Sequence, residues 1–278
     1  MSPAELDLST PAAHAALRQL AEQAARVGGD VARGYFRTEL AVRLKADHSE
    51  VSNADEAAQA ALVAAIRAQR SGDAFLTEET LPRAAMPTAA GNDVVCWVID
   101  PIDGTRNFIR GIPIYACSVA AMFGGVPLVG AIYDPQRSVL YSGSQSEGLF
   151  VNGVPHAGPA TSRPRGTSRP VVAIPSTVVG PLSEVAHDWL KLFICRNLGS
   201  TALHLAMVAI GELDAMLADN ARLWDLAAGW VLVGAAGGAV TTPAGAPHFP
   251  LDIGLYVDAE LPAIAKGAGV VLQTRAAR

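Results

Sequence analysis

Two rhythms of apolar and polar positions divide this chain. Leu17, Leu20, Ala21, Ala24, Ala25 and Val31 recur at helical spacing behind Ser9-Thr10-Pro11, a hydroxyl cap with proline in the first turn, so a packing helix is predicted to about residue 36. A polar stretch from Lys45 to Asp55 then leads into a second helix over about 54–68. Ala74-Phe75-Leu76-Thr77 reads as a short strand. The run Val94-Val95-Cys96-Trp97-Val98-Ile99 reads as a buried one, which Pro101 is expected to end by removing a backbone donor. Apolar runs at 116–123, 126–133, 139–142 and 148–151 follow, separated by Gly124-Gly125 and Asp134-Pro135 and followed by Asn152-Gly153. Such turn pairs mark successive antiparallel hairpins. Beyond 171 the pattern alternates, with strands expected at 171–174, 192–195 and 215–217 and helices at 182–190, 201–210 and 226–236.

The fold class expected from this pattern is α+β. An N-terminal α+β lobe with an antiparallel sheet occupies 1–155, and a C-terminal α/β lobe occupies 171–278. Segment 156–170, rich in Pro, Gly, Ser, Thr and Arg, connects them. Loop 80–93 carries no legible role, and the last 25 residues show neither a clear final strand nor a long helix.

Half of the 278 residues are hydrophobic, enough for a substantial core. The net charge of −5 comes without a basic stripe, which argues against nucleic acid or an anionic membrane as partner. No apolar run approaches the roughly 20 residues of a membrane span, and the first residues lack the basic and apolar regions of a signal peptide, so a cytoplasmic protein is expected. Cys96, Cys117 and Cys195 each lie in an apolar run and are expected to be buried reduced thiols.

The candidate chemistry sits where the central strand ends, at Asp100-Pro101-Ile102-Asp103-Gly104-Thr105. A strand-turn-helix edge here places Asp100, Asp103 and the Ile102 carbonyl on one side as hard oxygen ligands, with the amides of Gly104 and Thr105 as an anion cradle. A plain turn with a helix cap uses the same residues. Other acidic positions have equally ordinary local readings: Asp55 and Asp225 as charges at helix starts, and Glu78-Glu79 as solvated charge at a strand end. Gly199-Ser200-Thr201 opens a helix and serves either as a cap or as a site for an anion or hydroxyl. Gly234-Ala235-Ala236-Gly237-Gly238 follows a helix and precedes a strand, the reverse of a dinucleotide loop.

The full string Asp-Pro-Ile-Asp-Gly-Thr, with Trp97 before it and Asn107-Phe108 after it, resembles the signature of the inositol monophosphatase family of Mg²⁺-dependent phosphatases. The resemblance runs from about Lys45 to Gly238. Lys45 to Asp55 is similar to the family's mobile loop and the acidic residue after it, and Trp224-Asp225 to its second-lobe metal carboxylate. The fold implied is a layered αβαβα sandwich, as a homodimer. Glu78, the first of its pair, Asp100 and the Ile102 carbonyl would hold one ion, and Asp100, Asp103 and Asp225 a second. Glu79 would face elsewhere, as alternation in an extended segment suggests. Thr77 stands where the family has Gly. A ligand set of carboxylates without Cys or His favours Mg²⁺ or Mn²⁺ over zinc. By the same resemblance Thr105, oriented by Asp55, helps take a proton from water, Gly199-Ser200-Thr201 is the substrate-side turn, and lithium inhibits. The activity implied is hydrolysis of a small phosphate monoester by metal-activated water. Histidinol phosphate, fructose 1,6-bisphosphate and a 3′-phosphonucleotide are the rival substrates, and a non-catalytic regulator is the rival of another class. The family's acidic residue seven positions before the Asp of Trp-Asp is Ala218 here, so Asp219 or Arg222 is expected to help choose the substrate.

Overall fold

A computed structural model of the chain describes residues 7–45, 49–79, 93–158, 169–256 and 258–272. Two helices open the chain, α1 (Pro11–Tyr35) and α2 (Asn53–Arg67). The Thr10 hydroxyl caps the first by accepting from the Ala13 N–H, and Ser52 with Asp55 forms a reciprocal capping box on the second. Between them lies a small hairpin of β1 (Val42–Leu44) and β2 (Glu50–Ser52).

The first large sheet holds β3 (Ala74–Thr77), β4 (Cys96–Asp103), β5 (Ala116–Phe123), β6 (Val126–Asp134), β7 (Val139–Ser144), β8 (Gly148–Val151) and β9 (Val154–His156), in that spatial order. Only β3 and β4 run parallel; the rest is the expected antiparallel meander, extended by β9. Helix α3 (Thr105–Ile109) follows β4 directly. The strands of the centre are apolar throughout because both faces are covered. Trp97 and Ile99 pack with α1 and α2 on one side, while Cys96 and Val98 join the core of the other side.

The chain leaves this sheet after His156 and enters the second at β10 (Val171–Ala173); most of the expected connection, at 159–168, lies outside the described residues, as does loop 80–93 apart from Asp93. The second half adds α4 (Ser183–Leu192), β11 (Ile194–Arg196), α5 (Thr201–Ile210), β12 (Ala215–Ala218), α6 (Leu223–Ala235), β13 (Ala239–Thr241) and β14 (Ala263–Lys266). Its sheet has the order β11-β10-β12-β14-β13. Helices α5 and α6 fill the layer between the sheets, and Leu182, Ala186 and Trp189 of the α4 region pack on the outer face of the second. The layers are therefore helix, sheet, helix, sheet, helix, as expected.

Three local expectations change. Pro101 does not end β4: the strand continues to Asp103 through a bulge, where pairing passes from Asp100 with Ser118 to Asp103 with Ala116, and a bulge tolerates a missing donor. Leu192 belongs to α4, not to the strand expected at 192–195, because the helix extends until the Phe193 N–H bonds back to the Trp189 carbonyl. A final strand does exist: β14 lies between β12 and β13. Cys96 and Cys117 are buried free thiols and Cys195 is a half-buried one. Among the described residues no helix is long and apolar enough to cross a membrane.

Helix α6 carries Asp225 and lies close on β6, where a Cβ on Gly130 would stand 2.5 Å from the Ala228 carbonyl oxygen and 2.8 Å from its Cα. Backbone cannot yield there without moving the helix. Gly130→Ala should cost about 1–3 kcal/mol in a denaturant melt; a cost under about 0.5 kcal/mol would show that α6 shifts freely on the sheet.

Candidate metal centre

The carboxylates of Asp100, Asp103 and Asp225 offer oxygens that all lie within 4.8 Å of one another. They come from three places: the strand-and-bulge segment of β4, its last residue, and the first turn of α6. Each is held by backbone donors. Asp100 Oδ1 accepts from the Ile102 N–H at 2.9 Å, fixing the bulge. Asp225 Oδ2 accepts from the Arg222 N–H at 2.6 Å, which caps α6. Asp103 is gripped from the other half of the molecule, by the N–H groups of Thr201 at 3.2 Å and Ala202 at 2.9 Å and by the Ser200 hydroxyl.

Three like charges in so dry a place repel. Burial, then the charge of Glu78, holds the Asp100 carboxyl well above its ordinary pKa. Burial, then the Asp103 charge, does the same at Asp225. Asp103 is pushed up to about 6 by burial, with its three hydrogen bonds opposing. A hard divalent ion fits this donor set, since all three ligand atoms are carboxylate oxygens.

Glu78 stands beside the trio at the end of β3, with its own N–H bonded to the Ile99 carbonyl at 3.1 Å. Its carboxylate meets the Lys45 ammonium at 2.8 Å. Glu79 does not face elsewhere, as alternation suggested: it reaches the same ammonium at 2.6 Å. The expected loop lysine therefore bridges both. Burial, then the Glu78 charge, raises the Glu79 carboxyl to about 7.

Thr105 and Asp55 meet as expected. The Thr105 hydroxyl lies 2.9 Å from the Ile102 carbonyl and 3.2 Å from Asp55 Oδ1, and its single hydrogen serves one of them at a time. Asp55 Oδ2 accepts from the Ser52 N–H and hydroxyl, so one oxygen caps α2 while the other lies towards Thr105. A cavity of about 250 Å³ opens over these groups, lined by Glu78, Asp103, Gly104, Thr105 and Asp225 together with Gly199, Ser200, Thr201 and Asn220. A wider groove of about 1450 Å³ continues from Glu78 and Asp225 along α2.

Asp219 is not part of this site, which corrects the expectation that it contacts substrate. Its two oxygens accept from the N–H groups of Val179 at 3.0 Å, Gly180 at 2.7 Å and Leu182 at 3.1 Å, at the start of α4. Asp219 lies in the bend just past Ala218, the last residue of β12, and its carboxylate turns towards the start of α4. Arg222 is drawn to Asp258 at 3.1 Å and Glu260 at 3.5 Å, and lines the wider groove.

With this geometry in place, the comparisons with known proteins are decisive: the profile of the inositol monophosphatase family matches residues 14–273. The chain belongs to that family. The chain is 33% identical over 244 residues to the Nus factor SuhB of Escherichia coli K12, covering 84% of this chain and 87% of that protein. It is likewise 33% identical over 242 residues to an inositol-1-monophosphatase of Mesorhizobium japonicum, covering 82% and 85%. The crystal structure of the extragenic suppressor protein suhB from Bartonella henselae superposes with a TM-score of 0.76 at 29% identity, covering 91% of this chain and 94% of that one.

Some site residues carried no signal in the family string. Ser176 and Asn197 hydrogen-bond one another at 3.1 Å beside the cavity, and nothing in their spacing marked them. Asn107 stands in the signature string, and His204 lies in an apolar helix with no local feature to single it out.

Two outcomes follow from these contacts. In the folded protein without metal, Asp103 keeps its proton to about 6, whereas an unfolded Asp releases it near 3.9; between these values the folded state binds more protons, so Asp103 contributes less stability as pH rises. Glu79 acts in the same sense up to about 7. His204, lowered to about 4 by burial, acts oppositely between there and roughly 6.5, so the readout must be a difference. The melting-temperature gain given by Mg²⁺ over chelator should grow from pH 5 to pH 7.5, and a gain that shrinks would refute the cluster as the binding site. Asp219→Ala should cost about 1–3 kcal/mol by removing the acceptor of three amides, of which that of Leu182 is buried, while kcat/KM on any accepted phosphate ester stays near wild type. A collapse of kcat/KM in the folded variant would return Asp219 to the site.

Proposed function

We propose that the protein hydrolyses a small phosphate monoester with Mg²⁺ or Mn²⁺. The observation that carries this reading is the convergence of Asp100, Asp103 and Asp225, from both halves of the fold, with the last two lining one cleft beside Glu78. Glu78, Asp100, the Ile102 carbonyl, Asp103 and Asp225 would hold the metal. When bound, it supplies neutralising charge and a more acidic water. The chain's own residues do the rest. Thr105, within reach of Asp55, can pass a proton from an attacking water, and Gly104 and Thr105 line the cavity, where their amides would serve as donors for phosphate oxygens. Ser200, Thr201 and Ala202 orient Asp103.

Substrate choice rests on what is missing. Ala218 offers no acceptor and Asp219 is occupied elsewhere, and the neutral side chains of Ser176, Asn197 and Asn220 are among those that line the cavity beside the carboxylates, with Glu50 and Arg106 as further charged lining. A site that has lost a charged hydroxyl acceptor discriminates less among alcohols. Modest selectivity for inositol follows, with other small polyol or amino-alcohol phosphates accepted.

Chelator should abolish hydrolysis and Mg²⁺ or Mn²⁺ restore it; full activity in chelator would sink the proposal. Glu78→Gln and Asp225→Asn should each lower kcat at least about 100-fold, and Thr105→Ala should slow turnover while Mn²⁺ still binds. The panel is inositol 1-phosphate, histidinol phosphate, glycerol 2-phosphate, fructose 1,6-bisphosphate and a 3′-phosphonucleotide. A preference for inositol 1-phosphate above about 100-fold over every other, about 2.7 kcal/mol at the transition state, would contradict the open pocket.

A further inference from the structure

Leu198 lies in the turn before α5, and its two backbone polar groups are both held by side chains. Its N–H donates to His204 Nε2 at 3.0 Å. Its carbonyl accepts from Asn107 Nδ2 at 2.7 Å, and the same amide donates to the Ile114 carbonyl at 2.8 Å. Asn107 belongs to the short helix α3, directly after the carboxylate bulge, whereas His204 belongs to α5. One turn is thus fastened from both halves of the fold.

The next residues leave no slack. Gly199 has a φ of +75°, and a Cβ there would fall 2.7 Å from Asn107 Nδ2, so the turn lies flat on the amide. Ser200 follows. Its hydroxyl donates to Asp103, and the N–H groups of Thr201 and Ala202 reach the same carboxylate. His204 is buried and lines the cavity. To accept at Nε2 the ring must be neutral, and burial favours that form.

We propose that Asn107 and His204 are positioning residues for Asp103. They fix the Leu198-Gly199-Ser200 turn so that its donors set the angle at which Asp103 meets a divalent ion shared with Asp100 and Asp225. The inference rests on the metal-dependent reading above and adds residues to it. Neither side chain touches the ion; each acts through the turn. Outer partners of this kind commonly contribute about 10–100-fold in metal affinity.

The test is Mn²⁺ titration of the full chain followed by electron paramagnetic resonance, with the Mg²⁺ dependence of phosphate-ester hydrolysis measured beside it. His204→Leu removes the acceptor and Asn107→Ala the donor, whereas His204→Gln keeps an acceptor at a similar reach. His204→Leu and Asn107→Ala should weaken Mn²⁺ binding about 10–100-fold and raise the Mg²⁺ needed for half-maximal rate, with little change in KM for the ester. His204→Gln should stay close to wild type. In a Ser200→Ala background the effect of His204→Leu should shrink, since both act on one carboxylate through one turn. Wild-type metal binding in His204→Leu and Asn107→Ala would overturn the inference, and so would full additivity with Ser200→Ala. If His204→Leu does not fold, as judged by its melting curve, Asn107→Ala alone decides. Wild-type protein that binds no Mn²⁺ overturns the metal reading as well; wild-type protein that binds and hydrolyses while the variants match it overturns only the positioning role.

Discussion

Repulsion among carboxylates is the constraint around which this molecule is arranged. Oxygens of Asp100, Asp103 and Asp225 within 4.8 Å, with Glu78 alongside, interact at several kcal/mol per pair even at an effective dielectric constant near 20. Neutral protonated forms or a captured cation relieve that strain. The fold does not let the groups move apart, because each is tied to main chain: Asp100 to the bulge, Asp225 to the α6 cap, Asp103 to the start of α5. Lys45 supplies counter-charge on the Glu78 and Glu79 flank only. The cluster is therefore a standing affinity for a small multivalent cation, held in place by the packing of two sheets through a shared helical layer.

Much of this was legible in the sequence, for physical reasons that differ by element. The β4 run and the meander could be read because buried strands flanked by Gly-Gly and Asn-Gly turns leave few alternatives, and α1 and α2 because their caps and periodicity agree. Pro101 misled because proline is a strand breaker except at a bulge, and a bulge is invisible without the partner strand. Strand β14 was missed because Ala-Ile-Ala-Lys is too short and small to carry a period, and only its neighbours make it a strand.

The site shows the same division. Asp100, Ile102, Asp103, Gly104 and Thr105 sit in one continuous string, so local chemistry pointed to them. Glu78, Asp55 and Asp225 each had an ordinary local meaning, and two of those meanings are true: Asp55 and Asp225 do cap their helices. A helix cap and a metal-facing carboxylate are compatible because a carboxylate has two oxygens. Asp219 could not be placed without knowing which way the chain bends after β12. The pairing of Asn107 with Leu198 crosses 91 residues of chain, and that of His204 with Leu198, six residues apart, depends on how the turn folds back on α5.

The position of β14 carries a consequence for how the opposing carboxylate is held. It lies between β12 and β13, antiparallel to both, and α6 is the connection that runs from one of these strands to the other. Asp225 rides on the first turn of that helix. Strand β14 therefore works as a clasp: by pairing with the strand before α6 and the strand after it, it closes the span of chain that presents Asp225 and resists the splaying that repulsion from Asp100 and Asp103 would drive.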